Sequence, residues 1–201
     1  MYGRKNKTSR RLKVAPKVCN ITTIFNLNDK VMMFKGSRFY QMNESGVVEN
    51  SSMAISSKWI KLPEGIDAAF NYLNNKTFFF KGSKYWRYSN GSMDEDYPKE
   101  IEVGFPGVPD SIDAVTTLSN DEVIYFFKGD LFWTFDSSNM LQGKQCFSME
   151  ISLKYKGLPN NIDGAFKHAD GHVYFVKSNK LYRFNEVLQK VDQVLEHHWR
   201  C

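Results

Sequence analysis

Two histidines four residues apart, His168 and His172, and an adjacent pair, His197 and His198, are the only imidazoles in the chain. Imidazoles at the first spacing bind zinc when they share a helical face with a glutamate that activates water, the His-Glu-x-x-His arrangement. Here the intervening Ala169-Asp170-Gly171 is a turn signal between strands, so a shared metal is not expected. His197 and His198 fall in the last closing segment, where a surface or capping role is expected. Gly-x-Ser-x-Gly, a phosphate-cradling P-loop and Gly-x-Gly-x-x-Gly are absent. The chain is therefore read as non-catalytic.

The groups that do recur are an aspartate and a ring of aromatics, and their period defines the scaffold. Phe34-Lys35-Gly36, Phe80-Lys81-Gly82, Phe127-Lys128-Gly129 and Val176-Lys177-Ser178 follow one another at steps of 46, 47 and 49 residues. Four positions after each Gly or Ser stands Tyr40, Trp86, Trp133 or Tyr182, preceded by Phe39, Tyr85, Phe132 or Leu181. Upstream of the last three copies lies Ile-Asp-Ala or Ile-Asp-Gly, at Asp67, Asp113 and Asp163, and eight residues before these stand Trp59, Phe105 and Tyr155. A strand-rich repeat of about 40–50 residues is the signature of a propeller, in which no single blade can bury its own faces. Four copies imply an all-β, four-bladed β-propeller, with blades at about 19–63, 64–109, 110–159 and 160–201. The Lys-Gly pairs are hairpin turns. Segments such as Met53–Lys58 and Val191–Glu196 have helical spacing, which predicts one short helix per blade. The aromatic stripe is inter-blade core.

Ile66-Asp67-Ala68-Ala69, Phe79-Phe80-Lys81-Gly82 with Tyr85-Trp86-Arg87-Tyr88, and Tyr97-Pro98-Lys99 with Gly104-Phe105-Pro106-Gly107 together resemble a hemopexin-like domain, and more narrowly the carboxy-terminal domain of a matrix metalloproteinase. The likeness spans residues 19–201, and Tyr2-Gly3 resembles the end of that family's catalytic domain. The resemblance implies a secreted, extracellular-matrix location. It also implies a docking role toward collagen-type matrix substrate, tissue metalloproteinase inhibitors, receptors or a second copy as a homodimer, with zinc confined to a catalytic domain upstream. It further implies a central channel in which main-chain carbonyls hold Ca²⁺ or Na⁺, at Asp67, Asp113, Asp163 and, by overlay of the first repeat, Cys19. A deeper layer, often with Cl⁻, maps to Ile21, Ala69, Val115 and Ala165. A Cys19–Cys201 disulfide would close the ring. The collagen exosite of the first blade maps to Ile24 and Phe25, with Phe in place of the family's Arg. A matrix- or cell-adhesion protein and a haem-binding protein of the same family, both without protease, are the alternatives.

Charge separates tail from body. Residues 1–18 hold seven basic groups and no acid, which leaves 20 basic against 22 acidic residues, a net of −2, in the remainder. The tail is a solvated hinge or a contact for a polyanion such as heparan sulfate. A body without positive surplus argues against nucleic acid, and no run of eighteen apolar residues predicts a membrane span. Six Asn-x-Ser/Thr sequons, at Asn6, Asn20, Asn43, Asn50, Asn75 and Asn90, favour secretion and offer glycosylation sites. Cys146 is the odd cysteine: buried, paired with another chain, or reactive.

Overall fold

The computed structural model describes residues 21–43, 46–72, 76–118, 123–136 and 147–196. They form four antiparallel sheets in chain order. The first contains β1 (Thr23–Leu27), β2 (Lys30–Lys35), β3 (Arg38–Asn43), β4 (Gly46–Val47) and β5 (Met53–Ala54). The second contains β6 (Ala68–Tyr72), β7 (Lys76–Lys81), β8 (Lys84–Ser89), β9 (Ser92–Met93) and β10 (Lys99–Glu100). The third contains β11 (Ala114–Thr117), β12 (Val123–Lys128), β13 (Leu131–Asp136) and β14 (Ser148–Glu150). The fourth contains β15 (Gly164–Lys167), β16 (Val173–Lys177), β17 (Lys180–Asn185) and β18 (Lys190–Glu196). The innermost strands β1, β6, β11 and β15 each touch the next, and β15 returns to β1, so the ring is closed. This is a four-bladed propeller.

Between blades the packing is aromatic. Helices α1 (Ile55–Lys58), α2 (Ile101–Gly104) and α3 (Ile151–Lys154) are single turns, each delivering a fully buried ring at its C-cap: Trp59, Phe105 and Tyr155. Trp59 lies 5.1–6.1 Å from Phe25, Phe34 and Phe39 of its own blade and 5.3 Å from Phe79 of the next. Phe105 meets Phe80 and Tyr85 behind it and Phe126 and Phe135 ahead of it, at 5.0–5.5 Å. Tyr155 meets Phe127 and Phe132 on one side and Phe175 and Phe184 on the other, at 4.9–5.6 Å. The edge-to-face and tilted geometries are those that aromatic quadrupoles favour.

The helix expected over Val191–Glu196 is not formed, because this segment belongs to strand β18. Its backbone pairs with β17 from Lys180↔Glu196 to Asn185↔Lys190, and Asp192 accepts from Arg183 and Asn185 across the pair. Two β-branched valines and that fixed register outweigh a helical apolar spacing. As a result Val194 and Leu195 stay 50% and 40% exposed.

The first repeat also corrects the overlay. Thr23 pairs with Phe34 as Ala68 pairs with Phe80, Ala114 with Phe127 and Gly164 with Val176. Blade one is therefore three residues out of register with the sequence overlay. Ile24, not Ile21, is the counterpart of Ala69, Val115 and Ala165. Ile24 and Phe25 lie in the middle of β1, each 1% exposed, so they are core residues and not an exosite. Phe25 packs edge-on against Phe34 and Phe79.

Gly164 makes this register testable, because a Cβ there would lie 2.5 Å from Ile24 Cγ2. Gly164→Ala is expected to destabilise the ring by about 1–3 kcal/mol, as overpacking does. Combining it with Ile24→Ala should cost less than the two single changes summed. Urea unfolding of the four chains checks this, and strict additivity would refute the contact.

Candidate functional site

The turn that joins the second and third strands of a blade needs a left-handed residue. Gly36, Gly82, Gly129 and Ser178 supply it, with φ of 56°, 56°, 64° and 55°. In three blades the recurrent aspartate grips this turn. Asp67 Oδ2 accepts from the Gly82 amide at 2.8 Å, Asp113 Oδ2 from Gly129 at 2.7 Å and Asp163 Oδ2 from Ser178 at 2.5 Å. The Lys of the same turn reaches back to a carbonyl in the blade's opening loop: Lys81 to Glu64, Lys128 to Asp110 and Lys177 to Asn161. Turn and opening loop are thus tied at both ends. Neighbouring blades are tied as well, since Ser111 and Asn161 donate their amides to the carbonyls of Gly82 and Gly129 at 2.8 and 2.7 Å. Hydrogen bonds to a charged acceptor are among the stronger ones.

Blade one departs from the pattern. The amides of Asp67, Asp113 and Asp163 donate to the carbonyls of Phe80, Phe127 and Val176, and the equivalent donor to Phe34 is Thr22. Thr22 therefore takes the place expected for Cys19. Its hydroxyl donates back to the Phe34 carbonyl at 3.2 Å. The signal was present in the sequence: Asp67, Asp113 and Asp163 precede their Phe or Val by 13, 14 and 13 residues, and counting back so far from Phe34 ends at 20–21, next to Thr22. The resemblance of Ile21-Thr22-Thr23-Ile24 to Val115-Thr116-Thr117-Leu118 masked it.

These four positions converge. A cavity of about 370 Å³ at the channel mouth is lined by Ile21, Thr22, Asp67, Ser111, Ile112, Asp113, Ile162 and Asp163. Its polar lining is oxygen, from three aspartates, Thr22 and Ser111. Each aspartate spends Oδ2 on a turn, and Asp163 Oδ1 also meets Lys177 Nζ at 3.1 Å. Among the described residues no group of three or more His, Cys, Asp and Glu side chains already closes on a metal position. Chelation by side chains alone is thus not what this mouth provides, while an oxygen-lined throat with carboxylates around it suits a hard cation. Deeper in the ring sit Ile24, Ala69, Val115 and Ala165, all buried.

A second polar cluster lies at the far end of β15. The sequence suggested a simple turn at 168–172, yet the structure gathers both histidines around Asp170. His168 Nδ1 and His172 Nδ1 lie 3.2 and 3.5 Å from Asp170 Oδ1, and the Tyr174 hydroxyl donates to Oδ2 at 2.8 Å. Burial opposes ionisation of Asp170, but the His172 amide, Tyr174 and His168 outweigh it and hold the carboxyl below its usual range. Burial and the bond to Asp170 push the Tyr174 phenol up to about 12.

Of the sequons, Asn43, Asn50 and Asn90 lie on exposed strand ends and turns. Asn6, Asn20, Asn75, the three cysteines, His197, His198 and the basic segment 1–18 lie outside the described residues.

The family model Hemopexin matches residues 66–110 and 112–147. A stretch of 76 residues is 29% identical to Matrix metallopeptidase-21 of Danio rerio, covering 35% of this chain and 13% of that protein's own length. The hemopexin fold protein CP4 from cow pea superposes with a TM-score of 0.73 at 18% identity, over 89% of this chain and 95% of its own. The seed albumin LS24 from Lathyrus sativus does so with 0.70 at 19%, over 90% and 93%. These two likenesses concern the fold alone.

The aspartate clamp predicts that Asp113→Ala lowers stability by about 1–3 kcal/mol, with faster hydrogen exchange at the Gly129 amide, whereas Thr22→Ala leaves the Gly36 turn amide unaffected. Exchange measured by NMR checks both, and unchanged protection at Gly129 would refute the clamp.

The second and third repeats match the family model, and the closed ring of four blades superposes on known hemopexin folds, so the chain has the hemopexin fold.

Proposed function

We propose that this hemopexin-like domain is the docking module of a secreted, zinc-dependent matrix metalloproteinase, and that it positions collagen-type extracellular-matrix substrate for a protease domain carried elsewhere in the same protein. The observation that carries this reading is the stretch similar to Matrix metallopeptidase-21, set within a fold that is a rigid, non-catalytic disc. Six sequons and cysteines placed near both ends of the repeat set support a site outside the cell. No helix among the described residues is long and apolar enough to cross a membrane.

Tissue metalloproteinase inhibitors and a second copy of the domain are further proposed partners, and heparan sulfate is proposed for the basic hinge. Since Ile24 and Phe25 are buried, collagen contact is assigned to the exposed rims and faces of the disc. At the channel mouth, carbonyls of Thr22, Asp67, Asp113 and Asp163 are proposed to hold Ca²⁺ or Na⁺, with Cl⁻ in the layer of Ile24, Ala69, Val115 and Ala165. Such a cation would pin the four opening strands together. It would do no chemistry. The haem-binding alternative gains nothing from the described histidines, because both imidazoles face Asp170 rather than an apolar slot.

Surface plasmon resonance against an immobilised triple-helical collagen peptide and against a tissue metalloproteinase inhibitor tests the docking role. Saturable binding to at least one is expected. Binding to neither, or cleavage of the peptide by the purified chain, would overturn it. Saturating Ca²⁺ at about a hundred times its Kd should raise Tm by roughly 5–10 °C over EDTA. Identical melts in calcium and EDTA would remove the structural cation.

A further inference from the structure

The turn between β15 and β16 brings the Nδ1 atoms of His168 and His172 to one carboxylate oxygen, Asp170 Oδ1. His168 Nδ1 lies 3.3 Å from the Asp170 amide nitrogen and 3.2 Å from the carboxylate oxygen Oδ1. His172 Nδ1 approaches the same oxygen at 3.5 Å and is buried without a hydrogen-bond partner. Ring nitrogens and a carboxylate oxygen at these distances are held together by a positive charge, supplied by a ring proton or by a bound cation. Around a tetrahedral zinc with bonds of about 2.0–2.2 Å, neighbouring donor atoms are roughly 3.3–3.5 Å apart, close to both separations seen here.

We propose that His168, Asp170 and His172 form a binding site for a borderline divalent transition metal, Zn²⁺ or a close analogue, on the face of the disc opposite the channel mouth. The site is separate from the channel, because β15 carries the chain about five residues, roughly 16 Å, from Asp163 to His168. Two imidazoles and one carboxylate select zinc over calcium. The carboxylate is already oriented, since Tyr174 holds Oδ2 and the His172 amide donates to Oδ1 at 2.9 Å, the outer-shell support that metal ligands require. Arg183 of β17 is a cation that acts on Tyr174, and Asp192 of β18 accepts from it at 2.8 Å. The three ligands are 31–40% exposed, which leaves an open fourth position for water or a partner's ligand. As the side chains stand the set is open, so binding completes it by small rotations of the two rings. The proposal does not depend on the docking role.

The test uses the full chain, loaded with Ca²⁺ to occupy the channel and with thiols capped by iodoacetamide, titrated with ZnCl₂ by calorimetry at pH 7.5. One equivalent of zinc is expected, with a rise in Tm. His168→Ala/His172→Ala should weaken binding at least tenfold, and so should the near-isosteric Asp170→Asn, with circular dichroism confirming the fold of each variant. His197→Ala/His198→Ala should bind as the parent does. At pH 5.5, where protons compete for the ring nitrogens, uptake should be lost. The proposal fails if the parent takes up no zinc, if the 168/172 double variant binds equally well, or if the 197/198 variant loses the site. It also fails if acid alone stabilises the chain while zinc does nothing, for then protons are the missing charge.

Discussion

Everything in this molecule depends on large flat rings driven between sheets. A blade alone is a twisted sheet with two apolar faces and no means of covering them, and the single-turn helices exist to solve that problem. A four-residue helix has no stability of its own. It forms because its first residue, Ile55, Ile101 or Ile151, is buried and its amide donates to the preceding hairpin turn, at Ser37, Ser83 or Asp130. The helix then turns the chain so that Trp59, Phe105 or Tyr155 is presented to two blades at once. Gly104 shows how tight this is, because a Cβ there would lie 2.1 Å from the Tyr85 hydroxyl.

Wedges set the spacing between blades, but not their height along the axis. That is the work of the aspartate, which fixes the hairpin turn to the start of the innermost strand and so sets where each blade begins. Hydrophobic burial has no direction. A charged acceptor aimed at one amide has, and three such clamps align the opening strands around a common throat. The same residues therefore shape the hub and line it with oxygen. The exposed rims are left with no packing duty, which is why a propeller can vary them for binding without altering its core.

The fold was legible because it is written four times. Period, turn glycines and wedge aromatics all fall where the structure uses them, each being required by backbone geometry or by volume. What misled was local likeness without a geometric anchor. Thr22-Thr23 beside Thr116-Thr117 invited an overlay that the Phe34 turn, three residues out of step, contradicts. That one slip moved Cys19 and Ile21 into the hub and Ile24 and Phe25 onto the surface. Val191, Val194 and Leu195 have the spacing of a helix face, yet an unfilled partner in β17 decided for strand. His168 and His172 were correctly placed in a turn, and a turn still brings two side chains to one carboxylate.

The interface between blade four and blade one is built differently from the other three. Among the described residues this interface is filled by Ile24, Val31, Met33, Met42, Val176 and Leu181, with Phe166 as its buried ring. Methionine packs adaptably but specifies shape poorly. The aspartate clamp is also missing from blade one, where Thr22 takes the place of the aspartate. Among the described residues this interface therefore buries fewer rings than the other three. A covalent tie between Cys19 and Cys201, the bridge that the family resemblance implies, would span this same junction and add about 2–4 kcal/mol by restricting the unfolded chain.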